Sequence, residues 1–202
     1  MVRASLVATL DGTETDLKAL RHLDEDVDAL HGSIVEYLAK VAQENLDESR
    51  VAQQQAYLTA ANHIESMGDL VEVNLVSAGF ARLDAGVRVS DETRELLTTL
   101  HERVSWSVEM ALQSLDAVDP DMAKRVTEAK SEIKSLSRQA QAHLATRLTA
   151  PMPNRLELYT LETEITESLE QIYAMSKGIA KLVRRGAKAS REALAAEAAE
   201  AA

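Results

Sequence analysis

Ile64-Glu65-Ser66-Met67-Gly68-Asp69 lies in the middle of a stretch whose apolar spacing predicts a long, partly buried helix. Glu65 and Asp69 are four positions apart, so on a helix their carboxylates lie on one face. Two like charges at that spacing repel by ~0.2–0.5 kcal/mol on an exposed helix, and by more if they are desolvated. A cation bound between them would relieve the repulsion. The alternative interpretation is a solvated acidic face with no ligand.

The composition of the whole chain favours helices over sheets. Among 202 residues, 46% are hydrophobic but only 3% aromatic, and there are seven glycines and three prolines. The absence of cysteine excludes disulfides and thiolate metal sites and fits a reducing compartment. A net charge of −11 argues against a nucleic-acid backbone as partner. No apolar run approaches the ~20 residues that span a bilayer, and the first residues lack a secretory signal. We therefore expect a cytoplasmic protein.

Apolar residues spaced three and four apart predict five amphipathic helices, at about residues 20–41, 51–80, 97–115, 122–148 and 158–183. The first stripe consists of Leu20, Leu23, Val27, Leu30, Ile34, Leu38 and Val41. Breaks are predicted at 45–49, 86–90, 116–120 and 151–154, the last at Pro151-Met152-Pro153. Long helices joined by short turns indicate antiparallel bundles. Residues 186–202 are rich in alanine and have little to bury, so we expect a frayed or disordered tail.

A weak internal repeat suggests that the bundle is duplicated. Glu65–Asp69 aligns with Glu162–Thr166, which places Asn74 opposite Gln171. One helix earlier, each half carries another acidic pair beside its apolar stripe, Asp24 with Asp28 and Glu128 with Glu132. Carboxylates on adjacent helices can converge into an all-oxygen site that suits Mg²⁺ or Ca²⁺ and also accepts Mn²⁺ or Fe.

Catalytic patterns are weak by comparison. Di-iron enzymes use Glu-x-x-His on two helices, and the nearest approach here is a single Asp28-Ala-Leu-His31. The sequence has no glycine-rich phosphate loop, nucleophile elbow or Ser-His-Asp arrangement. We therefore predict that the protein is not an enzyme, with a di-metal carboxylate enzyme as the least favoured interpretation.

Two stretches of the sequence are Leu23-Asp-Glu-Asp-Val-Asp-Ala-Leu30 and His63-Ile-Glu-Ser-Met-Gly-Asp69, the second followed by Asn74. Together they resemble the PhoU family, and most closely the PhoU-like cytoplasmic domain of bacterial sodium/phosphate cotransporters. The similarity extends over most of residues 13–185. It implies an all-α fold of two three-helix-bundle repeats, residues 1–90 and 91–185, followed by the tail at 186–202.

The same resemblance implies metal ligands. Asp24, Asp28, Glu65 and Asp69 match the motif of the first repeat. In the second repeat Glu128 and Glu162 match the leading acid, Glu132 keeps the charge but is not Asp, and Thr166 has lost the final acid. The ligand would be a divalent metal or an iron cluster, with Mg, Mn, Fe and Ca not distinguished. A metal-free helical module that binds other proteins is the alternative.

The resemblance also implies a role in phosphate uptake and its regulation, with a transporter membrane domain or a sensor kinase as partner, at the inner face of the membrane. Family members carry a full helix ahead of the Asp24 helix, and only residues 1–10 correspond to it here. Either the chain is a fragment of a larger transporter or a partner supplies the missing surface. We therefore expect a homo-oligomer, because the apolar stripes would otherwise lack a cover.

Overall fold

The computed structural model describes residues 1–44, 46–149 and 154–200, and within them every regular element is helical. The helices are α1 (Val2–Asp11), α2 (Glu14–Val41), α3 (Glu48–Asp69), α4 (Ser77–Ala85), α5 (Asp91–Asp116), α6 (Pro120–Glu128), α7 (Lys130–Leu148) and α8 (Arg155–Glu200). A π-helical segment, Leu70–Val76, joins α3 to α4 without a break. The five predicted helical regions are confirmed, with α1 as an addition, but the fourth is divided at Ala129 into α6 and α7.

The predicted helix starts are confirmed by their capping bonds. The side chain of Asp47 accepts from the Arg50 amide, and that of Ser90 accepts from the Thr93 amide. Asp119 caps α6, with Pro120 in the first turn. Gly86 ends α4 in the left-handed conformation, with φ of 61°. Asn45 and the predicted break at Pro151-Met152-Pro153 lie outside the described residues.

Helices α5, α6–α7 and α8 form one bundle, and α1, α2 and the α3–α4 rod pack beside it. The two sets meet through α3 and the π-helical segment on one side and α8 on the other, where the Asn74 amide donates to Ser168 Oγ at 3.0 Å. One main apolar cluster runs across this boundary, from Leu6, Met67 and Leu75 to Leu100 and Ile172. The helical-bundle fold is therefore confirmed, while the division at residue 90 stays a prediction.

The short helix α1 is anchored by polar as well as apolar contacts. Leu6 and Leu10 are buried in the main cluster. Thr9 Oγ1 donates to the Leu75 carbonyl at 2.9 Å, and Arg82 Nε donates to the Thr9 carbonyl at 2.8 Å. These contacts fix α1 against the middle of the α3–α4 rod.

The predicted apolar stripe of α2 is only partly buried. Leu20 and Leu38 are buried, but Leu23 and Leu30 are 43% and 65% exposed. The exposure of those two residues agrees with the expectation that this stripe lacks a full cover within the chain. The reason is the length of α1, whose ten residues are too few to cover a helix of 28 residues.

Helix α8 continues through the alanine-rich segment to Glu200, in contrast to the expected frayed or disordered tail. Alanine has the highest helix propensity, which accounts for helix in a segment that buries little. Leu194 in this segment is 66% exposed. Among the described residues, no helix is both long and apolar enough to cross a membrane.

Candidate metal centre

The acidic pairs of the first half are brought together by the register of α2 against α3. Arg21 lies 3.3 Å from Glu72, His31 Nε2 lies 2.9 Å from Asn62 Oδ1, and the Gln54 amide donates to the Leu38 carbonyl at 2.6 Å. Residues later in α2 therefore pair with residues that are earlier in α3 by the same number of positions. This antiparallel register sets Asp24 level with Gly68 and Asp69.

Asp24 occupies the buried centre of this region. Asp24 is only 3% exposed, and its Oδ1 atom has no hydrogen-bond partner among the described residues. A Cβ atom placed on Gly68 would lie 2.5 Å from that oxygen. Gly68 is therefore the residue that allows the Asp24 carboxylate to lie against the backbone of α3.

Three carboxylates converge here. Asp24, Asp28 and Asp69 each offer an oxygen, and these oxygens all lie within 4.8 Å of one another. Asp28 and Asp69 are exposed, so the group opens to solvent on one side. Burial, followed by the charges of Asp28, Glu72, Asp69 and Glu65, raises the pKa of Asp24 from 3.8 to about 6.

Glu65 and Glu72 lie around this group. The half-buried Glu65 accepts from Ser66 Oγ at 3.2 Å and contributes charge rather than an oxygen within the closest set. Glu72 was not predicted from the sequence, although it follows Asp69 by three residues and Glu65 by seven, a spacing that places all three acids on one face of a helix. Asn74 was singled out in the sequence but contacts α8 instead.

In the second half, Glu128, Glu132 and Glu162 do not come together. Glu128 lies 3.7 Å from Lys124, and Glu132 lies 2.7 Å from Arg103. Glu162 is fully buried and lies 3.3 Å from Arg155 Nη2. Each acid therefore has a cationic partner of its own.

The register of α7 against α8 explains the separation. Arg155 Nη2, which contacts Glu162, also reaches the Leu144 carbonyl at 3.5 Å, and Ser137 Oγ donates to Glu170. Glu132 is twelve residues before Leu144, which is about 18 Å along a helix. The sequence alignment of Glu162 with Glu65 pairs the same residue type, but Glu162 does not lie level with Glu132 on the neighbouring helix.

Burial dominates the electrostatics of Glu162. It raises the pKa of that carboxyl although Arg155, Arg147 and His143 act in the opposite direction. Glu162 Oε1 and two nitrogens of Arg155 have no hydrogen-bond partner among the described residues. Thr166, in the place of the lost acid, donates to the Glu162 backbone carbonyl at 2.8 Å.

Comparisons with known proteins agree with this architecture. A family model described as the PhoU domain matches residues 1–73. The crystal structure of PhoU from Pseudomonas aeruginosa superposes with a TM-score of 0.85, covering 93% of this chain and 88% of the other, at 18% identity. The chain resembles the PhoU family. At that identity, the structural similarity establishes the fold alone.

A curated relative is the putative inorganic phosphate export protein YjbB of Salmonella typhimurium, 24% identical over 140 residues. The aligned region is 69% of this chain but 26% of the relative. This PhoU-like chain therefore spans about a quarter of the length of that protein.

The residues of the first acidic group fit the metal that the PhoU resemblance implies. The donor atoms are all carboxylate oxygens, the set that hard cations prefer. The unpartnered Oδ1 of buried Asp24 and its place against Gly68 provide a desolvated negative atom that a cation would satisfy.

Proposed function

We propose that this chain is a PhoU-like accessory or regulatory domain in phosphate transport that is not an enzyme and binds metal through Asp24, Asp28 and Asp69. The observation that carries the proposal is the buried Asp24 oxygen, which faces two further carboxylates and has no hydrogen-bond partner among the described residues. Glu65 and Glu72 would add negative charge around the ion. A divalent metal there, or an iron cluster, would neutralise acids that repel one another in its absence.

The phosphate part of the proposal rests on the relatives. The curated relative is named as a phosphate export protein, and the family model is the PhoU domain. The partner would be the membrane domain of a phosphate transporter, of the sodium/phosphate cotransporter type, or a sensor kinase. Such a partner would hold the chain at the cytoplasmic face of the membrane.

For the second half we propose a structural role for the acids. Glu128, Glu132 and Glu162 each have a cationic partner, which removes the repulsion that would favour a bound cation. The metal site would then be confined to the first half.

Metal binding is tested by calorimetry on the chelator-treated protein with Mg²⁺, Mn²⁺, Fe²⁺ and Ca²⁺. We expect at least one cation to bind to wild type, and Asp24→Asn to weaken it at least tenfold. Asp26→Asn is the matched control, because Asp26 is an exposed acid two positions away on α2. Equal binding by wild type and Asp24→Asn would refute the site.

The role in phosphate transport is tested in cells from which the gene has been deleted. Uptake and release of labelled phosphate are measured after complementation with wild type, Asp24→Asn or Asp26→Asn. We expect deletion to change the flux and wild type and Asp26→Asn to restore it. An unchanged flux on deletion would contradict the transport role without bearing on metal binding.

A metal-free module that binds other proteins is the second candidate. The observation that favours it is the exposure of Leu30 and Tyr37, each 65% exposed, on the outer part of α2. Under this alternative, no cation would stabilise the protein, and substitutions of Leu30 and Tyr37 would abolish its interactions.

A further inference from the structure

A row of cationic side chains occupies one face of α8. It consists of Lys177, Lys181, Arg184, Arg185, Lys188 and Arg191, and no acidic residue occurs between Glu170 and Glu192. At 3.6 residues per turn these positions fall within an arc of roughly 120° and extend about 21 Å along the helix. We call these six residues the basic strip.

The basic strip faces solvent. Five of its members are exposed, and Lys177 is half-buried. Arg184 donates to Thr127 Oγ1 at 3.0 Å, and Lys188 lies 3.5 Å from Glu192 at the end of the strip. These contacts leave most of the positive charge uncompensated.

The elements packed beside the basic strip do not cancel it. Lys130, at the start of α7, adds a cation close to Lys177, and burial together with Lys130 and Lys181 lowers the pKa of the Lys177 ammonium. Helix α6 carries two acids, Asp121 and Glu128, against two cations, Lys124 and Arg125, and Glu128 lies 3.7 Å from Lys124. In a chain of net charge −11, this is a local excess of positive charge.

We propose that the basic strip binds the surface of a bilayer that contains anionic lipids. Clusters of four to eight Lys and Arg on a helix are the pattern that recognises anionic headgroups. The strip lies on one face of a single helix and is exposed at every member except Lys177, which suits a plane of headgroups. Helix α3 packs against α8 at Gly178, and it carries no acid between Glu48 and Glu65, so it does not cancel the charge of the strip.

This inference goes beyond the proposed function and depends neither on the metal nor on phosphate. Helix α8 ends in the alanine-rich segment with few large apolar side chains, so the contact would be electrostatic and reversible rather than inserted. A bound chain would lie with α8 along the membrane and the acidic group of α2 and α3 directed elsewhere.

The test is sedimentation of the full chain with vesicles of phosphatidylcholine alone or with about one third phosphatidylglycerol added. We expect binding only to the mixed vesicles, and its loss in high salt. The strip variant is Lys181→Gln/Arg184→Gln/Arg185→Gln, which should bind about a hundredfold more weakly. The matched control is Lys18→Gln/Lys40→Gln/Arg50→Gln, which removes three exposed cations from α2 and α3 and should bind like wild type.

Three outcomes would overturn the proposal. They are no binding of wild type to the mixed vesicles at low salt, equal binding to both vesicle types, and equal loss of binding in the strip and control variants. A fourth result would also replace the proposal. If the strip variant alone differs from wild type in sedimented mass when no vesicles are present, the strip is an interface between proteins rather than a lipid-binding surface. The salt dependence of wild type provides a readout that does not depend on the folding of any variant.

Discussion

Gly68 illustrates how one residue can serve a site without contributing a ligand. A glycine inside a helix costs about 1 kcal/mol relative to alanine. Here the missing side chain leaves the space that Asp24 Oδ1 occupies, since a Cβ atom would be 2.5 Å from that oxygen and 3.4 Å from Val27 Cγ1. Gly68 therefore weakens α3 but allows the Asp24 carboxylate to lie close to its backbone.

We predict that Gly68→Ala separates stability from metal binding. The added methyl group should displace the Asp24 carboxylate and weaken cation binding at least tenfold. The free energy of unfolding in chelator should change by no more than about 1 kcal/mol, because the gain in helix propensity offsets the steric cost. Calorimetry and urea unfolding measure the two quantities, and undiminished cation binding would contradict the prediction.

The raised pKa of Asp24 predicts how stability depends on pH in the presence of chelator. The pKa of the Asp24 carboxyl is about 6 in the folded state and 3.8 in the unfolded state. The native state therefore binds more protons between these values, and stability falls as the pH rises through that window, by about 3 kcal/mol from this group.

Asp24→Asn should remove this part of the pH dependence. In chelator the variant should be more stable than wild type at pH 7 and similar to it at pH 4. Unfolding by urea at both pH values is the measurement, with Asp26→Asn as the control that keeps the wild-type profile. A variant less stable than wild type at pH 7 would show that the buried charge is not the dominant cost.

At the scale of the elements, the packing of α3 on α8 depends on a second close approach. A Cβ atom on Gly178 would lie 2.5 Å from His63 Nε2. Glycine at this position lets the two helices come close where the two helix sets meet. By contrast, nothing lies within 4 Å of the corresponding position on Gly186, farther along α8.

Gly178→Val should therefore destabilise the protein by about 1–3 kcal/mol through overpacking. Gly186→Val makes the same chemical change on the same helix without a neighbour, so it should be neutral or slightly stabilising. Thermal unfolding of both variants measures the difference. Equal effects would mean that His63 moves aside without cost and that the α3–α8 contact tolerates a side chain.

At the scale of the whole molecule, the uncovered face of α2 and α3 is the main irregularity. Leu30 and Tyr37 on α2, and Val51 and Leu58 on α3, are all more than one third exposed. They lie on the part of the hairpin that α1 does not cover. An apolar surface of this kind is typical of a protein–protein contact.

We predict that the chain self-associates through this face. Sedimentation over a wide concentration range should give a mass above that of the monomer, and Leu30→Lys/Tyr37→Lys should reduce it. Val118→Lys/Leu156→Lys is the control, since both residues are at least 61% exposed but lie outside the hairpin. A monomeric wild type at all concentrations would contradict the prediction. It would indicate that α1 covers enough of the apolar face of α2 and α3 to prevent association.

The helices, their caps and the acidic pair on each helix could be predicted from the chain alone, because these depend on neighbours within a few residues. Ser90 caps α5 and Gly86 ends α4 through contacts in their own turn. The four-residue spacing of Asp24 with Asp28 places them on one face in any helix.

Which acids meet could not be predicted in this way, because it depends on the register between helices that are distant in the chain. This register sets Asp24 against Gly68 and brings Glu72 close enough to raise the pKa of Asp24. It pairs Glu132 of α7 with Arg103 of α5, and it buries Glu162, whose partner Arg155 lies two turns earlier on the same helix. A shift of one turn between two packed helices would exchange the partners that lie on different helices while leaving every local pattern in the sequence unchanged.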